Sequence, residues 1–396
     1  AAGSYALAGQ AAATLYQRNP LAADAGAFAL EGQDAQWLYG KTLLGSAGSF
    51  TLTGEAVGLS QPERLLSASA GSFDIAGQVV NLTYISPQFK ILTYTGNGSS
   101  NAVTGVGFTP GLVWSKRLTT TSENHYLWSP TWTPIGANTY IMSPVGTGVT
   151  SSGTLMTFQS DGFTYANGAY GNTSSASYIS YSFKAGPSAS SNTNGSITSS
   201  TSYNSSLGIS VFYYTGTGAA ATVGHGVTDG TPDLLWTQSG SFYLGAGGPL
   251  LGVNKLMYGF SNAASATDSS TFTGFSATTI SIGTSLVTNE LAKTMMGVAF
   301  KSIAGNSRFS TFTGNGSATQ AITGVGFQPS FVVVKGISTA SNWVMFTEGR
   351  DARLAMNTAG IETATDYITF NSDGFTLESG AGVNTSSATY LYMAFR

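Results

Sequence analysis

Two histidines are the side chains in this sequence best suited to acid–base catalysis or metal binding. His225 lies in a Gly-His-Gly segment, where two related segments of the chain carry Val106 and Val325. This position predicts a scaffold turn for His225 in preference to a catalytic role. His125 lies in a variable loop, where a ligand contact is possible. Neither a Ser-His-Asp arrangement nor a His-Glu-x-x-His motif is present in the sequence.

Asp161 and Asp373 stand in matching Asp-Gly dipeptides. A glycosidase would need two carboxylates in one site, and neither aspartate has an acidic neighbour in its own segment. Asp-Gly between alternating strands instead favours a hairpin with a type I′ turn, because both central residues of that turn need positive φ. No dense Asp/Asn loop indicates calcium. We therefore expect a non-enzymatic protein with no catalytic residues, no metal and no cofactor.

An aromatic loop between residues 123 and 136 is the better candidate for a binding site. It places three large aromatics beside two prolines, and such rings can stack on a sugar or become buried in a partner. Trp128 aligns with Phe346 of a related segment, which favours a core position. Trp132 falls in an insertion, and a ligand contact and a core position both remain open for it. The candidate ligand- or partner-binding residues are Asn124, His125, Tyr126 and Trp132.

These residues belong to a long unit that occurs three times after residue 88. Each copy begins with an aromatic residue and Thr-Gly-x-Gly, at residues 94–98, 214–218 and 312–316. Copies one and three also share Gly-Val-Gly-Phe-x-Pro, Ser-Asp-Gly-Phe-Thr and Asn-Thr-Ser-Ser-Ala. Copy two keeps only a degraded form of the first motif, Gly224-His-Gly226 and Pro232, and lacks the other two. Short apolar runs bounded by Gly and Pro indicate strands. The only candidate helix is residues 288–296, and a strand competes with it.

A shorter unit occurs four times in residues 1–87, with leading glycines at positions 3, 26, 48 and 71. Alternating apolar residues predict a strand, a turn at each Gly-Gln or Gly-Glu, and a second strand. The copies are expected to stack on one another or on another subunit, and a single sandwich of four hairpins is the alternative.

The fold class predicted is all-β: short N-terminal repeats followed by three β-sandwich modules with jelly-roll-like topology. The predicted parts are residues 1–87 as a shaft or docking region, modules at 88–184, 209–301 and 307–396, and a flexible or extended linker at 185–208 rich in Ser, Thr, Asn and Gly.

Charge is sparse in this chain. Charged residues make up 8 % and the formal net charge is −3. Binding to nucleic acid needs clustered Lys and Arg, so no nucleic acid partner is expected. No apolar run reaches the ~18 residues that span a bilayer, so no membrane insertion is expected.

The short unit, Ala-Gly-Ser-Phe-x-Leu-x-Gly-Gln, resembles repeats of tailed-bacteriophage virion proteins. The long unit, from Tyr/Phe-Thr-Gly-Asn-Gly to a final Phe-Lys or Phe-Arg, resembles a domain of phage tail fibres. The resemblance implies a tail or head fibre or spike of the virion that takes part in host attachment. It also implies a homotrimer that contacts other virion proteins and a host-surface glycan. A capsid decoration protein and a bacterial surface adhesin are the alternatives.

Overall fold

The computed structural model describes residues 88–119, 122–135, 140–143, 155–166, 168, 170–239, 243–259, 261–364, 368–378 and 382–396, and the backbone of seven strands between residues 5 and 83. The chain divides into two compact units, Ala1–Pro87 and Gln88–Arg396. The all-β prediction is confirmed in both. No helix in these ranges is long and apolar enough to cross a membrane.

The N-terminal unit is a stack of parallel strands. Its strands are β1 (Tyr5–Gly9), β2 (Leu21–Ala23), β3 (Ala27–Trp37), β4 (Thr42–Gly45), β5 (Ser49–Ser60), β6 (Leu65–Ala68) and β7 (Phe73–Thr83). One sheet has the order β1-β3-β5-β7 and the other β2-β4-β6. Equivalent positions of successive repeats lie opposite each other, as Phe28, Phe50 and Phe73 do.

Two predictions for this unit are therefore wrong. The Gly-Gln and Gly-Glu dipeptides are not turns, because β3, β5 and β7 continue through them. A sandwich of antiparallel hairpins does not form either, because every pairing in both sheets is parallel. Each repeat of 22 or 23 residues is long enough to leave one sheet, enter the other and return one rung further along.

The second unit contains three modules with the same order of strands. Module 1 comprises β8 (Phe89–Thr95), β9 (Asn101–Thr104), β10 (Pro110–Arg117), β11 (His125–Trp128), a 3₁₀ helix (Pro130–Ile135), β12 (Tyr140–Ser143), β13 (Met156–Gln159), β14 (Gly162–Tyr165) and β15 (Ser177–Lys184). Its large sheet has the order β12-β11-β10-β15-β8 and its small sheet β13-β14-β9.

Module 2 repeats this plan and extends it. It comprises β16 (Ser190–Asn192), β17 (Ser199–Asn204), β18 (Ile209–Thr215), β19 (Ala221–Gly224), β20 (Leu234–Ser239), β21 (Gly245–Gly247), β22 (Lys255–Tyr258), β23 (Ala266–Thr267), β24 (Phe272–Phe275), β25 (Thr279–Ile282), helix α1 (Leu286–Asn289) and β26 (Thr294–Phe300). The large sheet has the order β16-β17-β18-β26-β20-β21-β22-β23, and the small sheet β19-β25-β24. The segment 288–296 thus divides between the end of α1 and the start of β26.

Module 3 comprises β27 (Ser307–Thr313), β28 (Thr319–Thr323), β29 (Phe331–Gly336), β30 (Val344–Thr347), β31 (Ala352–Ala355), β32 (Thr363–Ala364), β33 (Ile368–Asn371), β34 (Gly374–Glu378) and β35 (Thr389–Phe395). Its sheets have the orders β27-β35-β29-β30-β31-β32 and β28-β34-β33.

Residues 185–208 do not act as the predicted linker. Their strands β16 and β17 extend the large sheet of module 2, because Ser199–Asn204 pairs antiparallel with β18. In modules 1 and 3 the equivalent strands, β8 and β27, are the last strands of their sheets. The segment predicted as a hydroxyl-rich linker therefore forms a sheet extension that modules 1 and 3 lack in the part of the chain that the structure describes.

Both faces of each large sheet are buried. One face covers the small sheet and forms that module's own core, and the other joins a core that all three modules share. In β10, Leu112 and Trp114 enter the shared core while Val113 enters the core of module 1. Two buried faces explain why these strands read as continuous apolar runs instead of alternating patterns.

Ring contacts cross the module boundaries within the shared core. The ring of Trp236 lies 5.8 Å from that of Trp114 and 6.3 Å from that of Trp343. Tyr181 stacks on Phe331 at 4.2 Å, and its hydroxyl is hydrogen-bonded to Thr347 at 2.9 Å. The three modules are therefore one folded unit, and removing one module would expose the shared core of the other two.

Candidate functional site

The predicted aromatic platform is buried. Trp132 is 0 % exposed in the shared core, where its Nε1 donates to the Phe212 carbonyl of module 2 at 3.1 Å. Tyr126 is 6 % exposed in the core of module 1, against Tyr140 and Trp128. An exposed stacking ring is therefore wrong for Tyr126. Of the two alternatives for Trp132 the core position is confirmed, as is the core prediction for Trp128.

His125 is also a packing residue. Its ring is fully buried, Trp114 Nε1 donates to its Nδ1 at 3.0 Å, and its Nε2 lies 3.1 Å from the Ala355 carbonyl of module 3. Because Nδ1 accepts, the proton is on Nε2 and the ring is neutral. Burial, with a smaller contribution from Lys116, holds the pKa of His125 well below its usual value. The predicted ligand contact is wrong for this ring.

Asn124 is half-buried next to that histidine. The alternation of side chains along β11 directs His125 and Tyr126 to different cores. The structure therefore does not bring the four predicted residues together in one site.

Asp161 and Asp373 lie in β-hairpins, as predicted, but the type I′ prediction is wrong, because none of the loop residues Ser160, Asp161, Ser372 and Asp373 has positive φ. Each carboxylate also holds a neighbouring turn. The Asp161 carboxylate accepts the N–H groups of Gly105 at 3.0 Å and Gly107 at 2.6 Å, and these bonds lower its pKa. Asp373 accepts Gly324 and Gly326 at 3.0 and 2.7 Å. In each hairpin the two loop residues are Ser-Asp, not Asp-Gly, because the following glycine already pairs in the strand.

His225 confirms the scaffold expectation. It is fully buried in the equivalent turn of module 2, where its Nδ1 accepts the Val227 N–H at 3.1 Å and its Nε2 lies 3.3 Å from the Ser276 carbonyl. Burial lowers the pKa of His225. His225 thus accepts one backbone N–H of this turn, whereas the aspartates of modules 1 and 3 each accept two.

One asparagine per module, buried in modules 1 and 2 and half-buried in module 3, closes the turn at each Thr-Gly-x-Gly. The Oδ1 atoms of Asn172, Asn289 and Asn384 accept the N–H groups of Asn97, Thr217 and Asn315 at 3.0, 2.7 and 2.9 Å. Three positions after each asparagine the backbone has positive φ, at Ser175 (61°), Ala292 (56°) and Ser387 (62°). Copy two therefore keeps this device, which the sequence comparison missed because its flanking residues differ.

The candidate site is an open groove of about 540 Å³ in module 2, which we name the serine groove. It is lined by Pro187, Ser190, Ser191, Asn192, Thr193, Asn194, Thr201, Tyr203, Ser205, Gly226 and Thr228. Strands β16 and β17 supply one wall, and the Gly-His-Gly turn supplies the other. Two glycines of this turn permit the close approach: a Cβ at Gly224 would lie 2.2 Å from Asn192 Oδ1, and one at Gly226 2.6 Å from Thr201 Cβ.

The serine groove is suited to a neutral polar ligand. Within the part of the chain that the structure describes, the hydroxyls of Ser190, Thr193 and Ser205 make no hydrogen bond to the protein, and all three residues are exposed. Tyr203 is half-buried and its hydroxyl donates to the Asp229 carboxylate. Burial, then the bond to Asp229, raises the pKa of Tyr203, so the phenol stays protonated at neutral pH.

Comparison with protein families gives a match over the second unit. A family described as a domain of unknown function, DUF7483, matches residues 85–396, which is more than half of the chain. The chain belongs to the DUF7483 family. No match was found among curated proteins or among solved structures. The DUF7483 match covers the second unit, and the parallel stack of short repeats lies almost entirely outside it.

The serine groove could not be found by motif. The sequence feature that marks the groove is the run of Ser, Thr and Asn at 185–208. Its composition alone predicts coil. No group of three metal-binding side chains occurs among the described residues.

Proposed function

We propose that this protein is a non-enzymatic structural protein of a bacteriophage particle, a fibre or spike on the tail or head that takes part in host attachment. It acts as part of the extracellular particle, as a homotrimer in contact with other virion proteins.

The observation that carries this proposal is the parallel stack of N-terminal repeats. The strands of each repeat pair parallel and in register with those of the next repeat. A stack of repeats bonded in this way forms a stiff support. The same chain continues into a DUF7483 domain with an open polar groove. A stiff repeated support joined to a binding domain is what an attachment fibre requires. Apolar positions recur in every short repeat, which favours assembly with further copies.

The test is to locate the protein on purified particles produced by the phage or prophage that carries the gene. We expect mass spectrometry to detect the chain in particles, and gold-labelled antibody to mark fibres or spikes in electron micrographs. Regular labelling over the capsid lattice would replace the fibre proposal by a decoration protein. Absence from particles, with labelling on the bacterial surface, would overturn the proposal in favour of an adhesin. Sedimentation as a stable monomer at micromolar concentration would remove the homotrimer.

A further inference from the structure

The serine groove exists because module 2 departs from its two sister modules. All three modules share the scaffold from β8 to β15 and its equivalents, but among the described residues two added strands extend the large sheet past the equivalent edge in module 2 alone. In modules 1 and 3 a carboxylate of the small sheet closes the Gly-x-Gly turn. In module 2 the buried His225 holds that turn, and the added strands face it.

The lining of the groove determines the class of ligand. Hydroxyl and amide groups dominate the walls, and none of the lining residues carries a charge. An ionic ligand would therefore find no counter-charge, while the adjacent Asp229 carboxylate would repel an anion. A flat apolar ligand would leave exposed hydroxyls without hydrogen bonds. A ligand rich in hydroxyls can replace the waters on these groups bond for bond.

Tyr203 supplies the other element of such a site. Its hydroxyl is fixed by Asp229, and it packs against the core of module 2, so the side chain is already ordered before a ligand arrives. An ordered aromatic side chain that is partly exposed offers apolar contact to the C–H face of a sugar ring at low entropic cost. Asn194, exposed in the connection between β16 and β17, adds an amide donor and acceptor.

We propose that the serine groove binds a neutral oligosaccharide, with Tyr203 contacting a sugar ring and the hydroxyl and amide wall bonding its hydroxyl groups. The proposal deepens the proposed function, on which it rests for the source of the sugar, a polysaccharide of the host surface. The groove is open and polar, so a single site binds weakly, and multiple copies on a particle strengthen attachment by avidity.

The test uses the full chain and two sets of bacterial surface oligosaccharides, one of neutral hexoses and N-acetylhexosamines and one carrying uronic acids. We expect saturable binding to at least one neutral member by saturation-transfer NMR and titration. Tyr203→Ala and Asn194→Ala should each weaken that binding about tenfold. Tyr203→Phe keeps the ring and should retain binding within about threefold, which controls for misfolding of the alanine variant.

Tyr170→Ala is the matched control, because Tyr170 is a partly exposed tyrosine of module 1 outside the groove. It should bind as the unaltered protein does. Binding that Tyr170→Ala removes and Tyr203→Ala retains would overturn the proposal, as would preference for the acidic set or no binding to either set. A chain present in particles that binds no sugar overturns this inference alone. A chain that binds sugar through Tyr203 but is absent from particles overturns the proposed function alone.

Discussion

Lys335 offers the sharpest test of how the modules pack. This lysine of β29 is fully buried, and its Nζ donates to the carbonyls of Asn262 and Ala263 in module 2 at 3.2 and 2.7 Å. Burial lowers the pKa of Lys335 from its usual 10.5 to about 8. Lys116, at the equivalent position of module 1, donates to the Ala359 carbonyl of module 3 at 3.0 Å, and burial lowers its pKa to about 8 as well.

The lowered pKa gives the stability a defined pH dependence. Below pH 8 both the folded and the unfolded chain bind the proton, so the cost of burying the charge is fully present. Between pH 8 and 10.5 the unfolded chain binds more protons than the folded chain, so the free energy of unfolding rises with pH. From pH 7 to 9.5 the shift corresponds to about 2 kcal/mol for one lysine, and we expect about 1–2 kcal/mol because the carbonyls and nearby solvent stabilise the ammonium.

Lys335→Met isolates this contribution. At pH 7 it loses two hydrogen bonds, which costs about 1–3 kcal/mol, but it also removes a buried charge, so the two effects largely cancel. At pH 9.5 the variant should be less stable than the unaltered protein by about 1–2 kcal/mol more than at pH 7. Urea unfolding at several pH values between 7 and 9.5 measures this difference, with Lys293→Met as the exposed control. A difference between Lys335→Met and the unaltered protein that does not change with pH would refute the reasoning.

Three further substitutions test the shared core and the repeated turns. Trp236→Ala should destabilise the DUF7483 domain by about 3–5 kcal/mol and lower one common transition in calorimetry, and a transition confined to one module would contradict the shared core. Asn289→Ala should lower the free energy of unfolding in urea by about 2–4 kcal/mol, because it removes the bonds of this buried side chain to the Thr217 N–H and to two carbonyls. An unchanged midpoint would show that the turn of module 2 does not depend on Asn289. Gln238 is buried and its amide has no hydrogen-bond partner within the described ranges. Gln238→Met should therefore raise the free energy of unfolding by about 1–2 kcal/mol. A loss of stability would indicate a partner for this amide.

The fold class and the threefold repeat could be predicted from the sequence because they depend on local patterns. Strands bounded by Gly and Pro, and the recurrence of Thr-Gly-x-Gly, are readable without tertiary information. The direction of strand pairing in residues 1–87 was not readable, because alternation fixes which face is apolar and not whether neighbours run parallel. Gly32-Gln33 thus looked like a turn and lies inside β3.

The site was harder to predict because burial is decided by packing between modules. Trp132 and His125 lie in a loop whose residue types suit a ligand platform, yet that loop packs against modules 2 and 3. A sequence shows that Trp132 belongs to an insertion but not which surface the insertion covers. The serine groove was hidden for the opposite reason, because strand formation by 185–208 depends on the open edge of β18.

The most direct test of the central claim is an adsorption measurement with particles and host cells. Purified protein in excess should slow particle adsorption in proportion to its concentration, because it occupies the same surface polysaccharide. Protein carrying Tyr203→Ala should compete about tenfold less well, and protein carrying Tyr170→Ala should compete fully. Adsorption that proceeds at the same rate at every concentration of the unaltered protein, using particles that contain this chain, would contradict a role in host attachment.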